Sequence, residues 1–200
     1  MKLIVASNNA HKIAELNAIL SRLGMEVVSQ REAGIQVEPE ETGTTFEENS
    51  YIKAKAVLGA SGMAAVADDS GLMVEALDGA PGVYSARFGG AACVSDRDRL
   101  NYLLQKMKGQ KNRAAKFVSV ITLLTPDGRK LVARGECPGE ILTEPHGENG
   151  FGYDPVFYLP ERGHTFAELP ADVKNQISHR ARALTLLAEL IRKEWNYADK

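Results

Sequence analysis

The chain has 200 residues, a formal net charge of −2, 44% hydrophobic residues and 25% charged residues, the profile of an ordinary globular protein. A charge this close to zero excludes a basic field able to hold a nucleic-acid backbone, and no apolar run approaches the ~20 residues that span a bilayer. Cys93 and Cys137 match neither a disulfide framework nor a zinc spacing, so both read as reduced thiols, and the expected location is the cytoplasm.

Leu3-Ile4-Val5-Ala6 is a short β-rich run, read as a buried strand. The segment Ser7 to Lys12, SNNAHK, breaks it. A helix follows with Ile13, Leu16, Ile19, Leu20 and Leu23 on one stripe, and Gly24 stops it. Met25 to Ser29 reads as a second strand. A polar loop from Glu38 to Gly43 leads to Thr45 and Glu48, whose capping-box spacing starts a helix that runs to about Leu58. The apolar run Ala64-Ala65-Val66-Ala67 reads as a strand that ends in Asp68 and Asp69. Gly79-Ala80-Pro81-Gly82 is a turn, and a helix spans roughly Asp96 to Lys108. Lys116 to Leu124 is the strongest strand, and Pro126-Asp127-Gly128 turns it into a hairpin with Lys130 to Arg134. Gly147 to Asp154 is too glycine-rich for regular structure. A last helix runs from about Ser178 to Trp195, with Ala183, Leu184, Leu187, Leu190 and Ile191 toward the core. Alternating helices and strands, then a hairpin, predict a single α/β domain with a mixed sheet.

Five groups of residues could carry chemistry. SNNAHK joins a strand to a helix start, whose unpaired N–H groups and partial positive charge suit an anion, with Lys12 in reach. Asn8 and Asn9 are suited to left-handed backbone there, although the same residues also make an ordinary capped turn. Glu40 and Glu41, with Asp68, Asp69 and Ser70 at a strand end, form an acidic set that a divalent cation would relieve; a solvated turn is the alternative. Asn49 and Lys53 stand one turn apart on a helix, facing either a cleft or solvent. Phe151, Gly152, Tyr153 and Asp154 place aromatics on a flexible loop, either to stack on a flat ring or to plug the loop. Lys174 and Ser178-His179-Arg180 put positive charge at a helix start, against the dipole, which a ligand acceptor would offset; a surface arginine explains it equally.

Taken in order, these segments resemble one family over nearly the whole chain. They are Asn-x-x-Lys in a strand–helix turn, Glu-Glu-Thr-Gly-x-Thr-Phe-x-x-Asn, Ala-Asp-Asp-Ser-Gly-Leu, Gly-Ala-Pro-Gly-x-Tyr-Ser-Ala-Arg, Gly-Phe-Gly-Tyr-Asp-Pro and Ser-His-Arg. The family is the inosine/xanthosine triphosphate pyrophosphatases, which clear deaminated purine nucleotides. The resemblance implies hydrolysis of ITP, dITP and XTP to the monophosphate and pyrophosphate, with Mg²⁺, by a homodimer. It implies an elongated α/β fold with a long mixed sheet, flanking helices and two lobes around an active-site cleft. Carried over residue by residue, the phosphate turn is Ser7, Asn8, Asn9, Ala10, His11 and Lys12. The metal positions are Glu40 or Glu41 and Asp69, which is also the proton acceptor, and Ser70 is a substrate contact. The base pocket falls on Phe151, Gly152, Tyr153, Asp154, Lys174, His179 and Arg180. Asn8 stands where the family often has glycine. Lys174 and Arg180 are obligate donors, suited to the C6 oxygen of hypoxanthine and opposed to the amino group of adenine.

Two other readings fit part of the pattern. One is a related pyrophosphatase for modified pyrimidine nucleotides, which would lack the GFGYDP and SHR pair. The other is a nucleotide-sensing module that binds without turnover.

Overall fold

The computed structural model describes residues 2–195. In chain order the elements are β1 Lys2–Val5, α1 Ala10–Leu20, β2 Glu26–Ser29, α2 Phe46–Ser61, β3 Ala65–Val74, α3 Asp96–Lys106, β4 Ala114–Leu124, β5 Lys130–Ile141, β6 Phe157–Leu159, β7 His164–Thr165, α4 Ala171–Ile177 and α5 His179–Trp195. The strands form one seven-stranded sheet in the order β2-β1-β3-β4-β5-β6-β7. β1 runs parallel to β2 and to β3, while β6 runs antiparallel to β5 and to β7. The sheet is therefore mixed and flanked by helices, as expected.

The chain forms two compact units. Among the described residues, one comprises 2–69, 119–135 and 180–195; the other comprises 70–118 and 136–179. In the first unit, Val5, Val66, Ile121 and Leu123 bury one set of side chains with Leu16 and Leu20 of α1 and Ala183, Leu184, Leu187 and Ile191 of α5. Alternate residues of the same strands, Ile4, Ala65, Ala67 and Leu124, pack with Ala54 and Val57 of α2. The two-residue period of a strand thus sorts the helices onto opposite faces. In the second unit, Leu72, Val74, Leu100, Leu103, Phe117, Phe157 and Phe166 share a core.

Several boundaries depart from the sequence reading. β3 does not stop at Asp68; it continues through Asp-Asp-Ser-Gly to Val74, so the acidic residues sit in mid-strand. A strand interior tolerates them because each has a charged partner, as described below. β5 reaches Ile141 rather than Arg134, and the seven-residue α4 was not anticipated. A helix that short shows no readable period. Ser178 is extended, with φ −66° and ψ 163°, and closes α4 by donating its N–H to the Lys174 carbonyl. The side chain of Leu23 lies outside the described residues.

Candidate functional site

The turn after β1 is a helix cap. Asn9 is extended, with φ −80° and ψ 109°, and its side chain accepts from the Lys12 N–H at 3.1 Å. Asn8 is not left-handed either: among the described residues, Asp78 is the one non-glycine residue with positive φ. Asn8 instead uses its side chain. Its Oδ1 accepts from Gln30 Nε2 and its Nδ2 donates to Glu38 Oε1, each over 2.9 Å. Ser7, Asn8 and Ala10 open onto a pocket of about 790 Å³ that also touches Gln30 and Glu38. His11 is exposed at the first turn of α1.

β3 carries the acidic pair. Asp68 shares the parity of Val66 and lies toward α1 and α5. It accepts from Ser119 Oγ at 2.5 Å, Lys12 Nζ at 3.0 Å and Arg180 Nη2 at 3.1 Å. Arg180, 1% exposed, also pairs with Glu15 of α1. Burial penalises the Asp68 charge, but Arg180, Lys12 and Ser119 outweigh it and hold the carboxyl well below the usual range. Burial likewise works against the Arg180 cation, and Asp68 and Glu15 overcome it and raise its pKa. The positive charge at the start of α5 is therefore met by two carboxylates of the protein. Sequence reasoning missed Glu15 and Ser119; the one available signal was a serine inside the apolar run of β4.

Asp69 shares the parity of Ala67 and lies toward α2. Its Oδ1 accepts from Lys53 Nζ at 2.6 Å, and Glu41 Oε1 lies 3.4 Å from the same Nζ. Glu40 is exposed. Asn49, one turn before Lys53, is fully buried and accepts from the Gly43 N–H at 2.9 Å. Burial pushes the Asp69 carboxyl up; Lys53 and Lys12 pull it down without cancelling that, and Glu41 adds to the rise. Burial disfavours the Lys53 ammonium, yet Asp69, Glu41 and Asp68 raise its pKa. Asp69 Oδ2 is buried with no hydrogen-bond partner in the protein. A buried carboxylate oxygen left without a donor is costly, and it suits an incoming cation. Among the described residues no three His, Cys, Asp or Glu side chains converge as a complete metal cage. Two carboxylates with open coordination fit a hard cation that completes its shell from water and substrate oxygen.

The second unit holds the aromatic loop. Gly150 and Gly152 have φ of 77° and 62°, conformations that favour glycine, and a Cβ at Gly150 would collide with the Asp154 carboxylate. Asp154, 2% exposed, accepts from the Phe151 N–H at 2.9 Å and from Lys174 Nζ at 2.6 Å. The Lys174 ammonium lies 4.8 Å from the Phe151 ring centroid and 5.6 Å from that of Phe166. Tyr153 donates its hydroxyl to the Ser85 carbonyl at 2.8 Å, and Gly152 donates its N–H to Asp96 at 3.0 Å. His179 stacks on Phe117 at 4.7 Å with an interplanar angle of 12°. Ser70 follows Asp69 in β3 and is half-buried. The structure thus gathers Phe151, Gly152, Asp154 and Lys174, with Tyr153 fixing the loop and His179 in an aromatic wall. Ser85, inside the Gly-Ala-Pro-Gly-x-Tyr-Ser-Ala-Arg segment, and Asp96 support this loop; neither is singled out from sequence, since a carbonyl partner and a helix-start aspartate look ordinary.

The profile of the Ham1 family matches residues 3–190. A dITP/XTP pyrophosphatase of Exiguobacterium is 50% identical over 192 residues, covering 96% of this chain and 97% of that protein. One from Deinococcus deserti is 50% identical over 186 residues, covering 93% of this chain and 87% of that protein. Among solved structures, the Ham1 protein of Staphylococcus aureus superposes with a TM-score of 0.87 at 42% identity, covering 97% of this chain and all of that one. A nucleoside-triphosphatase, or dITP/XTP pyrophosphatase, of Mycobacterium abscessus gives a TM-score of 0.74 at 43% identity, covering 94% of this chain and 98% of that one. On the profile match over residues 3–190 and 50% identity to relatives over nearly the whole chain, the chain belongs to the Ham1 family.

Proposed function

We propose that the chain hydrolyses non-standard purine nucleoside triphosphates, dITP and XTP among them, to the monophosphate and pyrophosphate. Relatives 50% identical over almost the whole length are dITP/XTP pyrophosphatases. The observation that carries the mechanism is the group formed by Glu41, Lys53 and Asp69, with one Asp69 oxygen buried and unpartnered.

In this reading Lys53, Lys12 and the turn from Ser7 to Lys12 take the polyphosphate. The α1 start offers N–H donors, and the two ammonium groups neutralise phosphoryl charge in a partly dry setting. Asp69 accepts a proton from the water that attacks phosphorus, and the bond to the pyrophosphate leaving group breaks. Its raised carboxyl pKa brings it closer to the neutral range, where a general base works best. Asp69 and Glu41, rather than the exposed Glu40, would hold a divalent cation, Mg²⁺ by its taste for few carboxylates and substrate oxygen. When bound, that ion supplies positive charge against the polyphosphate. Positioning and charge dominate such transfers, so little covalent work falls to the protein.

Phe151 offers a face for a purine, and Lys174, held by Asp154, is donor-only. A donor there favours hypoxanthine or xanthine, with oxygen at C6, over adenine. Arg180, engaged by Asp68 and Glu15, supports the catalytic strand in this reading instead of reading the base. The family resemblance also implies a homodimer, which analytical ultracentrifugation tests. No helix among the described residues is long and apolar enough to cross a membrane.

The test is a panel of ITP, dITP, XTP, ATP, GTP and dUTP assayed for pyrophosphate release with and without Mg²⁺. Release from the first three, dependent on the cation, is expected. Tight ITP binding with no pyrophosphate would favour a sensing module, and preference for dUTP would overturn the purine assignment.

A further inference from the structure

Glu41 reaches Lys53 from a loop, so that loop must be held against α2. The anchor is Asn49. Its Oδ1 accepts from the Gly43 N–H at 2.9 Å, and its side chain is fully buried one turn before Lys53. The orientation of the amide follows from the chemistry, because an N–H can be met only by the oxygen. Gly43 is fitted to the contact. A Cβ there would lie 2.6 Å from Asn49 Oδ1 and 2.6 Å from Glu48 Cβ. Glu48 stitches the next residues to the same helix turn, accepting from the Thr44 N–H, the Thr44 hydroxyl and the Thr45 N–H. Residues 43–45 are thereby bound to the first turn of α2, and Glu41 leaves that anchor two residues earlier.

Asn49 Nδ2 is buried without a hydrogen-bond partner. An apolar side chain there would leave the Gly43 N–H without its acceptor, whereas asparagine meets that N–H and leaves its own Nδ2 unpartnered instead. What asparagine supplies, and an apolar residue does not, is the acceptor for Gly43.

We infer that Asn49 is a positioning residue: through the Gly43 N–H it sets where Glu41 presents its carboxylate beside Lys53 and Asp69, and so tunes the cation site. This rests on the reading that Glu41 and Asp69 hold the cation. Residues one step behind a metal ligand commonly change metal affinity by about 10- to 100-fold when removed.

The experiment uses the full chain with α,β-methylene-dITP, which is not cleaved at the reacting bond, and follows Mn²⁺ binding by electron paramagnetic resonance. Asn49→Ala, Gly43→Ala and the double variant are compared, each checked by thermal melting. Each single change should weaken Mn²⁺ about 10-fold while shifting nucleotide affinity without cation less than about 2-fold. Because both act on one contact, the double variant should be about as weak as either single, not their product. If Asn49→Ala does not fold, Gly43→Ala carries the test from the other side of the contact. Unchanged Mn²⁺ affinity in a folded single variant, or multiplicative losses in the double, overturns the inference. Asp69→Asn serves as control. If it abolishes Mn²⁺ binding while Asn49→Ala does not, only the positioning role fails. If it leaves Mn²⁺ binding intact, the cation site itself is wrong and both readings fall.

Discussion

Asp68 and Asp69 are adjacent in sequence and work on opposite faces of one strand. Asp68 binds Lys12, Arg180 and Ser119 beside α1 and α5, while Asp69 binds Lys53 of α2. The alternation of a strand separates two carboxylates that would otherwise repel and gives them different tasks. Asp68 has a carboxyl held low by Arg180, Lys12 and Ser119 against its burial; Asp69 has a carboxyl raised by burial that Lys53 and Lys12 do not offset.

Asp69→Asn should abolish turnover and leave the fold intact. The change removes a charge with almost no change in shape, and loss of a base or cation ligand should lower the rate by ~10² or more. Pyrophosphate release and a thermal melt check it. A folded variant with near-parental release refutes the role.

Asp68→Asn should instead destabilise the protein, because it takes a partner from buried Arg180 and from half-buried Lys12. Breaking a buried charge network by removing one member costs ~3–5 kcal/mol. The pH dependence has a definite sign. Asp68 titrates lower in the folded chain than its unfolded value of ~3.9, so its contribution is present above that pH and is lost as pH falls through the folded value. Urea unfolding at pH 7 and at pH 3 should show the gap between parent and variant shrinking in acid. An equal gap at both pH values contradicts the assignment.

Arg180→Ala should lower ITP and ATP hydrolysis by a similar factor and reduce the melting temperature. Its guanidinium is buried between Asp68 and Glu15, so its loss leaves two carboxylates short of a partner. Kinetics for both nucleotides, with thermal melting, decide the matter. A collapse of the ITP-to-ATP ratio in a variant of parental stability would return Arg180 to the base pocket.

Lys174→Ala should do what Arg180→Ala does not. Removing a charged donor to the C6 oxygen loses ~1.5–3 kcal/mol, or ~10- to 150-fold in kcat/KM for ITP, with little effect on ATP. The ITP-to-ATP ratio is the readout, and equal losses would assign Lys174 to holding the Asp154 loop.

Lys12→Ala should weaken triphosphate binding far more than binding of inosine. Calorimetric titration of both ligands tests this, and equal losses would place Lys12 outside the phosphate site.

Much was legible from sequence because it depends on local chemistry. The Thr45–Glu48 capping box starts α2 as the spacing requires, the Asn9 cap opens α1, and left-handed Gly24 ends the 3₁₀ turn Ser21–Leu23 that follows α1, for reasons contained in a few residues. The alternation of helices and strands gave the mixed sheet. What lay beyond sequence were partners far apart in the chain. Asp68 with Arg180, Arg180 with Glu15, and Glu41 with Lys53 meet only after packing, and whether a buried charge is a ligand group or a satisfied strut depends on those partners. The Asp-Asp-Ser-Gly run looked like a strand end because isolated carboxylates do not lie in a sheet interior. It continues as strand because Lys12, Lys53 and Arg180, brought in from three helices, supply the positive charge that local sequence could not show.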